Sequence, residues 1–216
     1  MRKYLIIIIL CNLCAIFSQA QPTGIIPTPQ HVTFQDGYYV LKENQQPVIE
    51  TQLVTSFPID TNADQAYILE VKADKLLIQA ITEQGLFYGQ QSAKQLLRYF
   101  KDESGRVSIP CMHIEDYPLL KYRGWMDDIS RGPIPNMAFL KRVIATLAEY
   151  KFNFFNLYTE HVFKLDKYPD IAPTDGLTAS EVKELEDYAK KFHIELIGNQ
   201  QCFAHFEKIL ALPEYA

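Results

Sequence analysis

Short runs of alternating apolar and polar residues dominate the first half of the chain and predict strands. The candidates are residues 31–34, 38–41, 47–50, 66–72 and 75–81. The turn Gln35-Asp36-Gly37 separates the first two, and Ala73-Asp74 lies between the last two, which read as a hairpin. Residues 85–101 then carry apolar side chains at helical spacing. Strands packed against one helix predict a small α+β layer.

Beyond Glu115-Asp116-Tyr117-Pro118 the pattern changes to alternating strands and helices. The predicted strands are residues 122–129, 154–158 and 193–198, and the predicted helices are residues 136–150 and 178–192. Asn136 is a candidate N-cap, and Thr178 with Glu181 forms a candidate capping box. Repeated βα units predict parallel strands, in a doubly wound sheet or a barrel. Three units occupy about 95 residues, whereas a (β/α)8 barrel needs roughly 250, so a barrel here would be incomplete.

The first twenty residues have the pattern of a secretory signal peptide. Arg2 and Lys3 precede an apolar run that is shorter than the roughly 20 residues of a membrane span, and Ser18 and Ala20 suit a cleavage site. Cys11 and Cys14 leave a lipoprotein signal as the competing interpretation. We therefore predict a signal peptide at 1–20, an α+β domain at 21–118 and the start of a barrel at 119–216. We expect export to the periplasm or the exterior, without a membrane span.

Charge and cysteine content narrow the classes of partner. The formal net charge is -5, and loss of Arg2 and Lys3 with the signal makes it -7. An acidic chain without a Lys/Arg run is a poor partner for nucleic acid, and a neutral ligand is the simplest to reconcile with it. Cys111 and Cys202 are outside any metal-ligand spacing. Export would permit one bridge between them, but we expect two unpaired thiols. We expect no cofactor and no metal.

Polar residues that follow parallel strands are candidates for chemistry, because active sites form at the carboxyl ends of such strands. Arg123 offers a fork of donors suited to sugar hydroxyls. The structural alternative is a salt bridge of Arg123 or Arg131 with Asp127 or Asp128. Glu160 directly follows an apolar strand, which favours a site role over a solvated loop carboxylate.

Two further groups follow the second and third strands of this half. His161, Asn199 and Gln201 are candidate ligand-binding residues, since amides both donate and accept hydrogen bonds. Gln200 is better explained as part of a turn before the next helix. Glu160 and His205 would form a carboxylate–imidazole pair if neighbouring strands bring them together. A metal-dependent hydrolase using Glu160, His161 and His205 would need a further ligand that the sequence does not offer.

At these residues the sequence resembles family 20 of the glycoside hydrolases, the β-N-acetylhexosaminidases, from about Gly24 to the end. The resemblance rests on Ile26-Pro27-Thr28-Pro29, Tyr67-Ile68-Leu69-Glu70-Val71, Gly85-Leu86-Phe87-Tyr88-Gly89-Gln90-Gln91 and Tyr122-Arg123-Gly124, with Asp128, Ser130 and Arg131 following as in the family. It implies a zincin-like α+β domain, here without a metal motif, followed by the first three βα units of an incomplete TIM (β/α)8 barrel. Leu157-Tyr158-Thr159-Glu160 and Phe203-Ala204-His205 depart from the family's usual His-Leu-Thr-Asp and Pro-Gly-His, which indicates a divergent branch.

The resemblance also implies roles for individual residues. Arg123 would bind hydroxyls of the terminal sugar, and Asp128 is a further candidate for substrate binding. Glu160 and His205 would form a relay that supports the catalytic acid. The substrate would be a glycan or glycoconjugate with a terminal N-acetylhexosamine, cleaved with help from its own acetamido group. The family's Asp-Glu pair follows the fourth barrel strand, which this chain does not reach, so we expect the fragment to be inactive. The alternative is a non-catalytic carbohydrate-binding protein with a degenerate barrel.

Overall fold

The computed structural model describes residues 22–201 and 203–215, which form two sheets, each with its own helices. The predicted signal peptide and its cleavage site lie outside the described residues, as does Cys202. Cys111 is a buried free thiol. None of the helices in the described ranges combines the length and the apolar composition needed to cross a bilayer.

The first sheet has five strands in the order β1-β5-β3-β4-β2. The strands are β1 (His31–Leu41), β2 (Ile49–Leu53), β3 (Tyr67–Val71), β4 (Leu76–Ala80) and β5 (Val107–Asp116), with a 3₁₀ turn at Ala63–Gln65 and one helix, α1 (Glu83–Tyr99). The hairpin predicted from residues 66–81 is confirmed, because β3 and β4 pair antiparallel. The sheet is mixed, since β2 runs parallel to β4 while the other pairs are antiparallel.

The prediction of two strands around the turn Gln35-Asp36-Gly37 is wrong. Both halves belong to β1 and pair with the same strand, β5, with a shift of register between Phe34 and Tyr38. Gly37 has a φ of 100°, so the presumed turn residues form an irregularity inside one strand. Tyr38 is the register partner of Pro110, so the proline of β5 lies beside this irregularity. Proline lacks a donor for the ladder and is tolerated at such irregularities.

Helix α1 packs closely on the first sheet because glycines remove the side chains between them. Thr82 caps the helix by accepting a hydrogen bond from the Gly85 amide at 3.0 Å. A Cβ atom at Gly85 would stand 2.4 Å from the Ala66 carbonyl oxygen. The core beneath α1 includes Leu69, Ile78 and Leu96, each with no exposed surface.

The second sheet has three strands in the order β6-β7-β8. Its elements are β6 (Gly124–Asp128), α2 (Met137–Glu149), β7 (Phe154–Tyr158), α3 (Ala179–Lys190), β8 (Glu195–Asn199) and the short α4 (Glu207–Leu210). The predicted parallel pairing is confirmed for both strand pairs. So are the predicted caps: Asn136 accepts from the Phe139 amide, and Thr178 forms a capping box with Glu181.

The two faces of the second sheet have different neighbours. Phe155 and Leu157 on β7 point towards α2 and α3 and join a buried cluster with Leu140 and Leu185. Successive side chains of a strand alternate between faces, so Asn156 and its register partner Met126 lie on the opposite face. Met126 is 57% exposed. Helices thus cover one face, and the other face carries polar residues towards its carboxyl-terminal edge.

Candidate functional site

The carboxyl ends of the three parallel strands meet at one edge of the second sheet. Asp128, Tyr158 and Asn199 are the last residues of β6, β7 and β8, and they are register partners. Register partners share a face of the sheet. The loops that follow carry Arg131, Glu160 and His205, so this edge gathers most of the polar residues singled out in the sequence.

Arg131 is the centre of this edge. Its Nη2 lies 2.9 Å from Oε1 of Glu160 and 3.3 Å from Nδ1 of His205, and its Nη1 forms an ion pair with Asp128. The structure therefore brings Glu160 and His205 together through one guanidinium group. We name Asp128, Arg131, Tyr158, Glu160 and His205 the Arg131 cluster.

Glu160 is buried and charged within this cluster. It is 9% exposed, and its Oε1 also accepts a hydrogen bond from the Tyr158 hydroxyl at 2.8 Å. Burial alone would raise the pKa of Glu160, but the Tyr158 hydroxyl and the Arg131 charge together bring the pKa below its ordinary value. The carboxylate is thus ionised at neutral pH and available as an acceptor.

Both members of the predicted carboxylate–imidazole pair have a left-handed backbone. The φ angle is 44° at Glu160 and 57° at His205. This region is unusual for residues other than glycine, and it clusters at functional sites, where the surrounding structure holds it in place. Both side chains reach Arg131, Glu160 two residues after the end of β7 and His205 six residues after the end of β8.

The carboxylate of Asp128 accepts hydrogen bonds from the loop that follows it. One carboxylate oxygen accepts from the Ser130 amide at 2.9 Å and from the Ser130 hydroxyl at 2.7 Å, while the other pairs with Arg131. Burial favours the protonated acid, but these contacts outweigh it and lower the pKa of Asp128. The geometry makes Asp128 a support for Arg131, with its role towards a ligand remaining a prediction.

Arg123 does not face this edge, and the prediction that it does is wrong. The predicted strand began at residue 122, whereas β6 begins at Gly124, so Arg123 precedes the strand and lies at its amino-terminal end. Its guanidinium donates to the Lys151 carbonyl from Nε at 3.0 Å and from Nη2 at 2.8 Å, and to Oε1 of Gln65 from Nη1 at 2.8 Å. Its carbon also lies 5.4 Å from the centre of the Tyr88 ring. Arg123 therefore joins the two sheets.

A buried polar network continues this junction. Nζ of Lys151 lies 3.2 Å from Oδ2 of Asp116 and 3.1 Å from the Tyr67 hydroxyl, which donates to Asp116 at 2.6 Å. Burial lowers the pKa of Lys151, although the negative charge of Asp116 acts in the opposite direction. Burial also raises the pKa of Tyr67, and the Asp116 charge raises it further. Buried charges of this kind need partners, and here the partners come from both sheets.

The remaining predicted site residues lie near the cluster without joining it. His161 contacts Nζ of Lys208 at 3.2 Å, and burial followed by that positive charge lowers the pKa of His161. Asn199 and Gln201 line a cavity of about 870 Å³ with Glu160. Most of its lining is apolar and includes Leu157, whose side chain points to the helix-covered face. The cavity therefore lies behind the Arg131 cluster, on the helix side of the sheet.

Two residues of the cluster were absent from the predicted site. The sequence predicts that Arg131 is a salt-bridge partner or part of a family motif, and that Tyr158 ends an apolar strand. The sequence signal for Arg131 was its position three residues after Asp128, beyond the strand end. No sequence signal indicates that Tyr158 reaches Glu160. Among residues 22–201 and 203–215, no group of three His, Cys, Asp or Glu side chains is arranged to hold a metal ion.

Comparison with known families and proteins finds three informative similarities. Residues 41–117 match the profile of "Glycosyl hydrolase family 20, domain 2". The chain is 30% identical over 144 residues to a β-hexosaminidase subunit beta of Entamoeba histolytica, which covers 62% of this chain and 25% of that protein. It is 32% identical over 145 residues to the N,N'-diacetylchitobiase of Vibrio harveyi, covering 64% of this chain and 16% of that protein.

A solved structure extends the similarity to both sheets. The N-acetyl-β-hexosaminidase of Streptomyces plicatus, in complex with Thio-NAglucal, superposes with a TM-score of 0.74 at 23% identity. The superposition covers 90% of this chain and 49% of that one. At this identity the superposition shows a shared fold. The chain spans about a quarter or less of the two relatives named above and about half of this structure.

Proposed function

We propose that this chain, which is a partial region of the glycoside hydrolase family 20 architecture, is the amino-terminal part of a β-N-acetylhexosaminidase. In this proposal residues 21–118 are the small non-catalytic domain, and the second sheet is the first three βα units of a (β/α)8 barrel. The substrate is a glycan or glycoconjugate with a terminal N-acetylhexosamine. We also propose that the chain is exported, on the basis of its first twenty residues.

One observation carries the proposal: Arg131 binds both Glu160 and His205 at the carboxyl ends of parallel strands. Ligands bind at that edge in barrels of this type. A half-exposed guanidinium held by two carboxylates offers its remaining donors to neutral hydroxyl groups. The Arg131 cluster therefore combines a sugar-binding cation with a carboxylate–imidazole pair.

Each residue has a distinct task in this proposal. Arg131 binds sugar hydroxyls in place of Arg123, while Asp128 orients its guanidinium. Glu160 stabilises positive charge on His205, as a carboxylate beside an imidazole does in hydrolytic relays. The proton donor and the group that orients the acetamido oxygen would lie outside residues 1–216, so we expect this chain alone to release no product.

The test uses the longer protein that contains this chain. Release of 4-nitrophenol from its N-acetyl-β-D-glucosaminide should be detectable, and Arg131→Ala should lower kcat/KM by roughly tenfold to a hundredfold, because it removes charge-assisted hydrogen bonds to the sugar. Arg142→Ala, on the exposed side of α2, is the matched control and should retain activity. Binding of N-acetylglucosamine without hydrolysis would favour a degenerate, carbohydrate-binding barrel instead. Absence of both would refute the proposed function.

A further inference from the structure

Tyr158 is the member of the Arg131 cluster that ends the middle strand of the second sheet. It is the last residue of β7, and the strand register places it between Asp128 of β6 and Asn199 of β8. It therefore lies on the same face of the sheet as Asp128. Only 7% of its surface is exposed, so the ring is held between its neighbours while the hydroxyl reaches the loop that follows its own strand.

Tyr158 contacts both charged partners of the cluster. Its hydroxyl donates to Oε1 of Glu160 at 2.8 Å, and the same oxygen accepts from Nη2 of Arg131 at 2.9 Å. The guanidinium carbon of Arg131 lies 5.4 Å from the centre of the Tyr158 ring, within the range of a cation–π interaction. One side chain thus supplies a donor to the carboxylate and an aromatic face to the cation.

These contacts fix one oxygen of Glu160. Oε1 accepts hydrogen bonds from the Tyr158 hydroxyl and from Arg131, and the Ser130 hydroxyl also lowers the pKa of the Glu160 carboxyl. His205 shares this partner, since its Nδ1 lies 3.3 Å from the same nitrogen of Arg131. Without the Tyr158 hydroxyl, Glu160 could rotate and exchange its two oxygens at Arg131.

We propose that Tyr158 is a positioning residue, whose hydroxyl holds Oε1 of Glu160 against the same nitrogen of Arg131 that contacts His205. This inference rests on the proposed function, and nothing in the resemblance or the relatives assigns it. Tyr158 acts through Glu160 and need not touch the substrate.

The competing explanation is packing, because a buried ring at the end of a strand also fills space. Packing depends on the ring, whereas positioning depends on the hydroxyl, and Tyr158→Phe removes only the hydroxyl. Several groups influence the pKa of Glu160, namely Tyr158, Arg131, Ser130 and His205, and His161 also interacts with its charge. Of these, the Tyr158 hydroxyl makes the largest contribution that lowers the pKa of Glu160 against burial. Its removal should therefore raise that pKa.

The first experiment needs no enzymatic activity. The pKa of Glu160 is measured in the folded chain by 13C NMR of labelled glutamate, assigned with Glu160→Gln. Tyr158→Phe should raise it, while Tyr39→Phe should leave it unchanged. Tyr39 is a matched control, because it is a buried tyrosine whose hydroxyl accepts a hydrogen bond from the Val48 amide in the other sheet. An unchanged Glu160 pKa in folded Tyr158→Phe would overturn the proposal.

A second measurement covers the case in which Tyr158→Phe does not fold. In the unsubstituted chain the 13Cζ resonance of Tyr158 should follow the titration of Glu160, and this response should disappear in Glu160→Gln. A Tyr158 chemical shift that does not respond to the titration of Glu160 would refute the contact directly.

The catalytic part is tested in the longer protein. Tyr158→Phe should lower kcat about tenfold, the effect of one hydrogen bond to a charged group, and leave KM nearly unchanged. A raised Glu160 pKa with unaltered kcat would overturn the positioning role in catalysis. A raised pKa in a parent that has no hexosaminidase activity would refute the proposed function and leave the Tyr158–Glu160 coupling in place.

Discussion

Replacement of Arg123 by Ala should destabilise the protein without weakening a ligand site. The truncation removes the groups that donate hydrogen bonds to the Lys151 carbonyl and to the Gln65 side chain, both of which lie at the junction of the two sheets. Leaving a buried acceptor unpaired costs about 1–3 kcal/mol. Since Arg123 is half-buried, water can satisfy part of the lost bonding, and we expect a net loss of about 3 kcal/mol.

The assay is thermal unfolding followed by circular dichroism, with urea unfolding as a second measure of the free energy. For a protein of 150–250 residues each kcal/mol shifts Tm by about 2–4 °C, so Arg123→Ala should lower Tm by about 6–12 °C. The matched control is Arg142→Ala. The Arg142 side chain is exposed on α2, and exposed charges contribute little to stability.

The result that refutes this reasoning is specific. If Arg123→Ala unfolds within about 2 °C of the unsubstituted protein, the guanidinium does not hold the two sheets together. If the variant is stable and the proposed longer protein loses affinity for an N-acetylhexosaminide, the role first expected for Arg123 is correct after all. A large loss of Tm with unchanged kcat/KM in the folded parent supports the junction role.

Two further predictions concern the first sheet. Partial burial lowers the pKa of His113, but hydrogen bonds to Glu115 and Glu70 outweigh it and raise the pKa above its ordinary value of 6.5. Protonated His113 therefore stabilises the folded state fully below pH 6.5, and this stabilisation is lost as the pH rises through the higher pKa of the folded state. His113→Gln should show a smaller difference in unfolding free energy between pH 5.5 and 8.5 than the unsubstituted protein, and equal differences would contradict this. Gly85→Ala should cost about 1–3 kcal/mol in urea unfolding, because the new Cβ meets a backbone oxygen at 2.4 Å. Gly198→Ala, with nothing within 4 Å, is its control, and similar losses in both variants would count against this reason.

The sequence was most informative where local chemistry determines local structure. Residues 154–158 form a strand with the predicted bounds, and Asn136 and Thr178 cap their helices as expected. Apolar periodicity and capping are interactions between residues a few positions apart, so a single sequence records them. The repeated βα order likewise implied parallel pairing, since short crossover connections with helices allow little else.

Irregular backbone and long-range contacts were less accessible. The segment Gln35-Asp36-Gly37 has the composition of a turn, but whether the chain reverses there depends on its partner. Here β5 pairs with both flanks, so the segment stays within one strand. The contact of Tyr158 with Glu160 and Arg131 depends on left-handed backbone at Glu160. The presence of polar and aromatic residues at a strand end does not predict that conformation.

The two arginines show how a small error of strand bounds changes a functional assignment. Arg123 and Arg131 flank a strand of five residues, and at about 3.3 Å per residue it separates its two ends by roughly 16 Å. The predicted strand, residues 122–129, includes Arg123, whereas β6 begins at Gly124. Because every strand of a parallel sheet has its site edge at the carboxyl end, the residue before the strand belongs to the opposite edge. There Arg123 meets Gln65 from the first sheet, and Arg131 alone is left to meet Glu160 and His205.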